Sequence, residues 1–252
     1  MTRNRGIRMV HHSYDYVLVL MSYVVSVLGS FTALRLMAGI QDIHDTTRRW
    51  KRLILASLVV GVGAIWAMHF IGMLALNMPV KVDYAPGLTA LSAVVAVIAC
   101  LIGLSLTSRG DHSRLNLLTA GTYMGIGVAA MHYMGMAAMR MPATTVYNGA
   151  ITSLSILIAI VASVAALWMA YKRSSVLQSM FGALVMGLAV CGMHYVGMAA
   201  ARFAVLGTPE VAEAHGIDSL YLGMLVFGVI VVMLLGVLIA GLRNREVFAI
   251  DS

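Results

Sequence analysis

Charge is scarce in this chain. Only 11% of its 252 residues are Asp, Glu, Lys or Arg, where an average globular domain carries about 25%. Acidic residues are scarcest, ten in all. None falls in the centre of an apolar stretch, so no pair of carboxylates is available for acid–base chemistry and the chain does not read as an enzyme. The two cysteines, Cys100 and Cys191, both lie in apolar segments, which excludes a disulfide framework. What remains is 61% hydrophobic at a mean hydropathy of +0.91. That is too apolar for a disordered or soluble chain and is the composition of a polytopic membrane protein.

A membrane-spanning helix needs about 20 apolar residues. That ruler predicts seven spans, at about Tyr14–Ala38, Trp50–Leu76, Gly87–Thr107, Leu115–Met139, Ala150–Tyr171, Leu177–Arg202 and Leu220–Leu242, an all-α fold with short connections. The membrane domain is residues 14–242. Residues 1–13 form an N-terminal segment, and residues 243–252 a cytoplasmic tail or the start of a linker to an output domain. Eleven Lys and Arg collect on one side of these spans and six on the other. The positive-inside rule then puts the C-terminus in the cytoplasm and the N-terminus in the periplasm, although Arg3, Arg5 and Arg8 argue the other way. The same rule accounts for the net charge of +7 without nucleic acid as a partner. Tyr14, Tyr16, Tyr84, Tyr147 and Tyr221 would form an aromatic belt at the outer interface, and Trp50, Trp168 and Tyr171 one at the inner.

Three segments align without gaps: Met68-His69-Phe70-Ile71-Gly72-Met73-Leu74-Ala75, Met131-His132-Tyr133-Met134-Gly135-Met136-Ala137-Ala138 and Met193-His194-Tyr195-Val196-Gly197-Met198-Ala199-Ala200. Their shared pattern, M-H-[FY]-x-G-M-x-A, recurs once per helix pair. The odd-numbered spans repeat as well: Ser22, Ser26 and Ser30 correspond to Ser92, Ala96 and Cys100, and to Ser155, Ala159 and Ser163. The architecture expected is three tandem helix pairs plus a seventh helix. The small residues, Gly72, Gly135 and Gly197 among them, read as close-packing positions between helices in lipid and carry no chemistry.

All three motifs sit on even-numbered spans, which run in one direction. His69 is seven residues before Leu76, roughly 10 Å below the outer end at 1.5 Å per residue, and His132 and His194 share that depth. Each histidine has a methionine four residues on and on the same face: Met73, Met136 and Met198. Met68, Met131 and Met193 precede them. Ionisable residues within the bilayer are costly and point to function. Imidazole with thioether selects copper, Cu(I) above all, while zinc is also bound by imidazoles. Weaker candidates are His11 and His12 at the outer mouth, His215 in the last outer loop, and Cys191, three residues before His194. The aromatic residue after each histidine is expected to pack between helices, with the Tyr133 and Tyr195 hydroxyls available to orient a neighbouring imidazole.

On these residues the chain resembles the MHYT domain, a bacterial integral-membrane sensor module, over about residues 14–242. The resemblance implies copper bound through the Met and His residues of the three motifs and the sensing of O2, CO or NO. It also implies cytoplasmic signalling output, often through cyclic di-GMP modules or a histidine kinase, as a domain or a partner protein. This sequence has Phe70 where the other copies have Tyr, and Ile71, Met134 and Val196 where the motif's name has Thr; no ligand is lost.

A sensor in the bacterial inner membrane is therefore the leading expectation. Copper transport or delivery is an alternative, disfavoured as a channel because the inner halves of the helices carry few polar or soft groups. A haem protein is another, with two of the three histidines as axial ligands.

Overall fold

The structure, a computed structural model, describes residues 8–9, 13–108, 113–172, 175–205 and 216–243. Within these, seven long helices occur: α1 Tyr16–Met37, α2 Thr46–Leu74, α3 Pro86–Thr107, α4 Arg114–Ala137, α5 Gly149–Tyr171, α6 Val176–Ala200 and α7 Ser219–Arg243. Their starts are written in the sequence. Asp15, Asp45 and Asn148 accept N–H bonds from the first turns of α1, α2 and α5, Ser113 does so for α4, Ser175 opens a capping box on α6, and Pro86 opens α3. Past the end of α1, Gly39 takes a left-handed φ of 70° and turns the chain toward α2.

Helices α1 to α6 close into a ring in chain order, each touching the next and α6 returning to α1. The motif helices α2, α4 and α6 touch one another across the ring, and α5 also touches α1 and α3. Along α1 the buried face carries Ser22, Ser26 and Ser30, while Leu20, Val24 and Leu28 face outward. Helix α3 does the same with Ser92, Ala96 and Cys100 inside and Leu91, Val94 and Ile98 outside. Small residues inward and large apolar ones outward is the pattern of a bundle solvated by lipid, where small side chains let backbones approach. Among the described residues, five helices are long and apolar enough to cross a membrane. Helix α4, with Asn116, Thr119 and Thr122, is not among them, and the apolar stretch described in α7 is the shorter Ser219–Met233. The chain is a multi-pass helical membrane protein.

Helix α2 departs from its counterparts. Between Val59 and Trp66 it is π-helical, with Ala67 N–H bonding Val62 C=O, five residues back. Helix α7 lies outside the ring against α2: a β-carbon added at Gly223 would stand 3.5 Å from Leu74, and one at Gly63 would run into Met233.

The sequence reading carried the motif helices about two residues too far. At Leu76, Met139 and Ala201 the chain turns extended and pairs with the segment leading into an odd-numbered helix. The strands are β1 Arg8–Met9, β2 Ser13–Tyr14, β3 Leu76–Asn77, β4 Asp83–Tyr84, β5 Met139–Arg140, β6 Thr144–Tyr147, β7 Ala201–Val205 and β8 Ile217–Asp218. Three pairings are equivalent: Tyr14 opposite Leu76, Tyr84 opposite Met139, and Tyr147 opposite Ala201. Each is anchored by one further backbone bond, Asp15 N–H to Ala75 C=O at 2.9 Å, Ala85 to Ala138 at 2.8 Å and Asn148 to Ala200 at 2.8 Å. These ties staple the ends of the helices that carry the histidines.

Candidate metal centre

The three motif histidines meet at the axis of the ring, all fully buried. Helix geometry brings them there: α2, α4 and α6 run parallel, and each motif stands at the same distance from the strand that ends its helix. Their Nδ1 atoms form a triangle with sides of 3.1 Å (His69 to His194), 3.2 Å (His132 to His69) and 3.3 Å (His194 to His132). The rings stand nearly perpendicular to one another, at 80–86°. His69, His132 and His194 are the one group of His, Cys, Asp or Glu able to surround an ion among the described residues.

The far edge of each imidazole rests on a glycine of the next motif helix. His69 Nε2 lies against Gly135, His132 Nε2 against Gly197 and His194 Nε2 against Gly72, in each case with no room for a β-carbon. These glycines, expected to serve only helix packing, are thus the walls that position the rings. No well-formed hydrogen bond reaches any of the three Nε2 atoms from the described residues, although His194 also makes a polar contact with the Gly72 backbone, so the steric cradle does most to orient the rings.

The residues following the histidines turn outward to the odd-numbered helices. Tyr133 Oη lies 2.6 Å from Ser155 Oγ, and Tyr195 Oη 3.1 Å from Ser22 Oγ. Each serine hydroxyl donates to the carbonyl three residues back, Ser155 to Thr152 at 2.8 Å and Ser22 to Val19 at 2.7 Å. A hydroxyl has one proton, so the tyrosines donate to the serines. The Tyr133 and Tyr195 hydroxyls therefore orient the odd-numbered helices and not a neighbouring imidazole, contrary to expectation. In the first copy Phe70 has no hydroxyl, and Trp66, one turn earlier, takes over: its indole N–H approaches Ser92 Oγ at 3.1 Å and Thr89 C=O at 3.2 Å. The signal available in the sequence was the invariance of Ser22, Ser92 and Ser155 where the positions after them vary.

A layer of tyrosines closes the site toward the strands. Tyr84 meets Phe70, Tyr147 meets Tyr133 and Tyr14 meets Tyr195, all edge-on with ring centres 5.6–5.9 Å apart. Burial and the neighbouring Tyr195 raise the Tyr14 phenol to about 12, and burial raises Tyr84 further, so both stay neutral. Tyr84 is 2% exposed. It is not a belt residue as the sequence suggested, because β8, leading into α7, pairs over it.

The remaining candidates fall into three groups. Met68, Met73, Met131, Met136, Met193 and Met198 are all buried on the same helices as the histidines. Cys191 is buried beside Ser22, outside the histidine cluster. It stands four residues before Tyr195 and so shares that ring's face, turned to α1, where the three-residue spacing to His194 had suggested a common face. His11, His12 and His215 lie outside the described residues, as do most of segments 1–13 and 243–252.

The donor set suits a single small cation. A point equidistant from the three Nδ1 atoms is about 1.85 Å from each, the circumradius of the triangle, against about 2.0–2.1 Å for zinc–imidazole bonds. A slight expansion would fit an ion. With the proton of each ring on Nε2, the three Nδ1 lone pairs would converge on that point; with a proton on Nδ1, the same distances are hydrogen bonds between the rings.

Comparison with known proteins places this geometry. The model of the MHYT family, a bacterial signalling protein N-terminal repeat, matches residues 61–120 and 125–183. The chain is 41% identical over 243 residues to the bifunctional diguanylate cyclase/cyclic di-GMP phosphodiesterase MucR of Pseudomonas aeruginosa, covering 94% of this chain and 35% of the relative. It is 36% identical over 220 residues to the cyclic di-GMP phosphodiesterase NbdA of the same organism, covering 84% and 28%. It is 32% identical over 203 residues to the signaling protein YkoW of Bacillus subtilis, covering 77% and 25%. The chain thus spans between a quarter and about a third of the length of these relatives, and no solved structure matches it. With its motifs, its helical ring and these relatives in agreement, the chain belongs to the MHYT family of bacterial membrane signalling proteins.

Proposed function

We propose that this chain is a membrane sensory module whose three histidines hold one metal ion, copper in preference to zinc, through Nδ1. The observation that supports this best is the Nδ1 triangle itself, fully buried, with no carboxylate nearby and with each ring clamped by a glycine. Copper bound there would supply an accessible redox couple and a coordination position for a diatomic ligand. His69, His132 and His194 supply the nitrogen donors. The six motif methionines are buried on the same helices, and any thioether that reaches the ion would favour Cu(I). Haem fits poorly, since bis-histidine ligation needs two imidazoles on opposite faces of a macrocycle, and rings with nitrogens 3.1–3.3 Å apart leave no space for one. Transport is disfavoured only by the lack of charge on the other side of the histidines: Met124, Met186, Met193 and Ser163 line the interior there beside Val60, Ile65, Val128 and Ala159, without a charged group.

In this reading all seven helices span the membrane as three pairs plus one, with the histidines toward the periplasm and the arginine-rich end in the cytoplasm. The state of the site passes along α2 to α7 and on to a cytoplasmic output; MucR and NbdA are named for cyclic di-GMP synthesis or breakdown. Elemental analysis of detergent-purified protein, with an optical spectrum of the same sample, tests the proposal. About one copper per chain, lost in the His69/His132/His194→Ala triple variant while helical circular dichroism persists, is the expected result. A Soret band, or equal metal in both proteins, would overturn it.

A further inference from the structure

At the end of the bundle opposite the histidines, a cleft of about 220 Å³ opens between the first turns of α2 and the last turns of α3. The metal site makes no use of it. Its walls include His44, Thr46, Arg49, Trp50, Ser105 and Ser108. Arg49 is half-buried and held in place: one guanidinium nitrogen donates to Ser108 C=O at 2.6 Å and lies 3.2 Å from Ser108 Oγ. Ser108 Oγ in turn donates to Ser105 C=O at 3.0 Å. Ser105 Oγ is buried in the same wall and has no protein partner.

Among the described residues the wall offers a guanidinium, an imidazole and hydroxyls, and no carboxylate. The neighbouring Asp45 is committed elsewhere, accepting from Thr47 N–H at 2.8 Å and Arg48 N–H at 3.3 Å and pairing with the Arg48 side chain at 3.5 Å. A guanidinium has five donors in a fixed fork that matches phosphate oxygens, and only one of its nitrogens is engaged by Ser108. Trp50, 41% exposed at the rim, is the residue type that sits at the level of lipid headgroups. Capping of α3 explains why Arg49 reaches Ser108. It does not explain a hydroxyl-lined cleft of this size beside it.

We propose that this cleft is a binding site for a phosphate group, carried by an anionic phospholipid or as the free anion. Arg49 supplies the charge and Ser105 Oγ, which has no protein partner, the donating hydroxyl, while Ser108, its proton given to Ser105 C=O, holds Arg49 in place. The site is independent of the metal reading, so either can fail alone.

The test is native mass spectrometry of the delipidated chain after addition of phosphatidylglycerol, phosphatidylcholine or inorganic phosphate. Wild type should retain phosphatidylglycerol over phosphatidylcholine. Arg49→Gln should bind it about tenfold or more weakly, the loss of a charge-assisted contact. Arg48→Gln, which alters an exposed residue, should match wild type. Ser105→Asp places a carboxylate in the cleft while leaving the Arg49–Ser108 bond, and should also abolish retention, which keeps the test decisive if Arg49→Gln folds poorly. Retention of inorganic phosphate in place of phosphatidylglycerol, with the same variant pattern, identifies the free anion as the source. Equal retention by wild type, Arg49→Gln and Ser105→Asp, or retention of neither probe, would overturn the proposal.

Discussion

Gly135 lies against the Nε2 edge of His69 so closely that no β-carbon fits between them. The same holds for Gly197 with His132 and Gly72 with His194, so each motif donates a histidine to one neighbour and receives a ring from the other. An alanine at 135 must push the His69 ring toward the axis or tilt it, which moves Nδ1 out of the triangle. Loss of a positioning contact of this kind costs about 10–100-fold in metal affinity. Gly135→Ala should therefore lose metal while remaining helical. Gly192→Ala is the control: it lies in α6 two residues before His194, and a β-carbon there meets nothing within 4 Å. Equal metal retention by the two variants would remove the cradle from the argument.

The methionines divide from the histidines in a selectivity experiment. Imidazoles bind zinc and copper alike, whereas thioethers prefer Cu(I). Replacing Met73, Met136 and Met198 with Leu keeps volume and apolarity at buried positions, so the fold should tolerate it with modest loss. The expected outcome is a lower Cu(I)-to-zinc affinity ratio, read by competition with a chromophoric chelator, with zinc binding unchanged. The triple histidine variant should lose both ions. An unchanged ratio in the methionine variant would make the thioethers filler.

Phe70, Trp66 and Ser92 form a compensated set. The Tyr133 and Tyr195 hydroxyls find Ser155 and Ser22, while in the first copy the Trp66 indole occupies the partner serine. Phe70→Tyr adds a hydroxyl whose acceptor is already taken, at a site where Phe70 is fully buried. A buried unsatisfied hydroxyl costs about 1–3 kcal/mol, so the single variant should melt earlier than wild type. Trp66→Phe in the same chain vacates Ser92 and should recover part of that loss, giving a favourable coupling in a double-mutant cycle. Additive melting shifts would show that the two side chains do not share Ser92.

The helices and the histidine cluster were legible because each rests on a periodic signal. Spans are long apolar runs ended by capping residues such as Asp15, Asn148 and Ser175, and equal spacing in three parallel helices forces His69, His132 and His194 to one depth. What was not legible depends on which neighbour a side chain meets. Nothing in one helix says that Gly135 faces His69 from another. Cys191 was assigned by its distance to His194 along the chain, yet its contact is decided by α1. The strands at Leu76, Met139 and Ala201 were hidden because apolar residues continue past the last helical turn, and only pairing with the next segment stops the helix. Tyr84 was read as an interface residue because its burial comes from β8, more than a hundred residues away in sequence.

Helix α2 is the element through which the site can reach the rest of the molecule. It carries His69, holds Gly72 against His194, and alone among the motif helices contains a π-helical stretch, Val59–Trp66. Such stretches interrupt the regular bond ladder and are frequent at functional sites. Helix α7 rests on α2 within that segment, Gly63 with Met233, and again near the end of the helix beyond it, Leu74 with Gly223. A change in how tightly His69 is held would shift α2 by a register of the π-turn and carry α7 with it. Spin labels at Leu58 and Leu235, both exposed, should report a change of about 1–2 Å on metal loading, typical of helix shifts in switching proteins. Labels at Leu118 on α4 and Trp168 on α5, also exposed, should report none, and neither pair should respond in the triple histidine variant. A shift of equal size in both pairs would mean that the whole ring breathes. No shift in either would mean that α7 does not carry the state of the site.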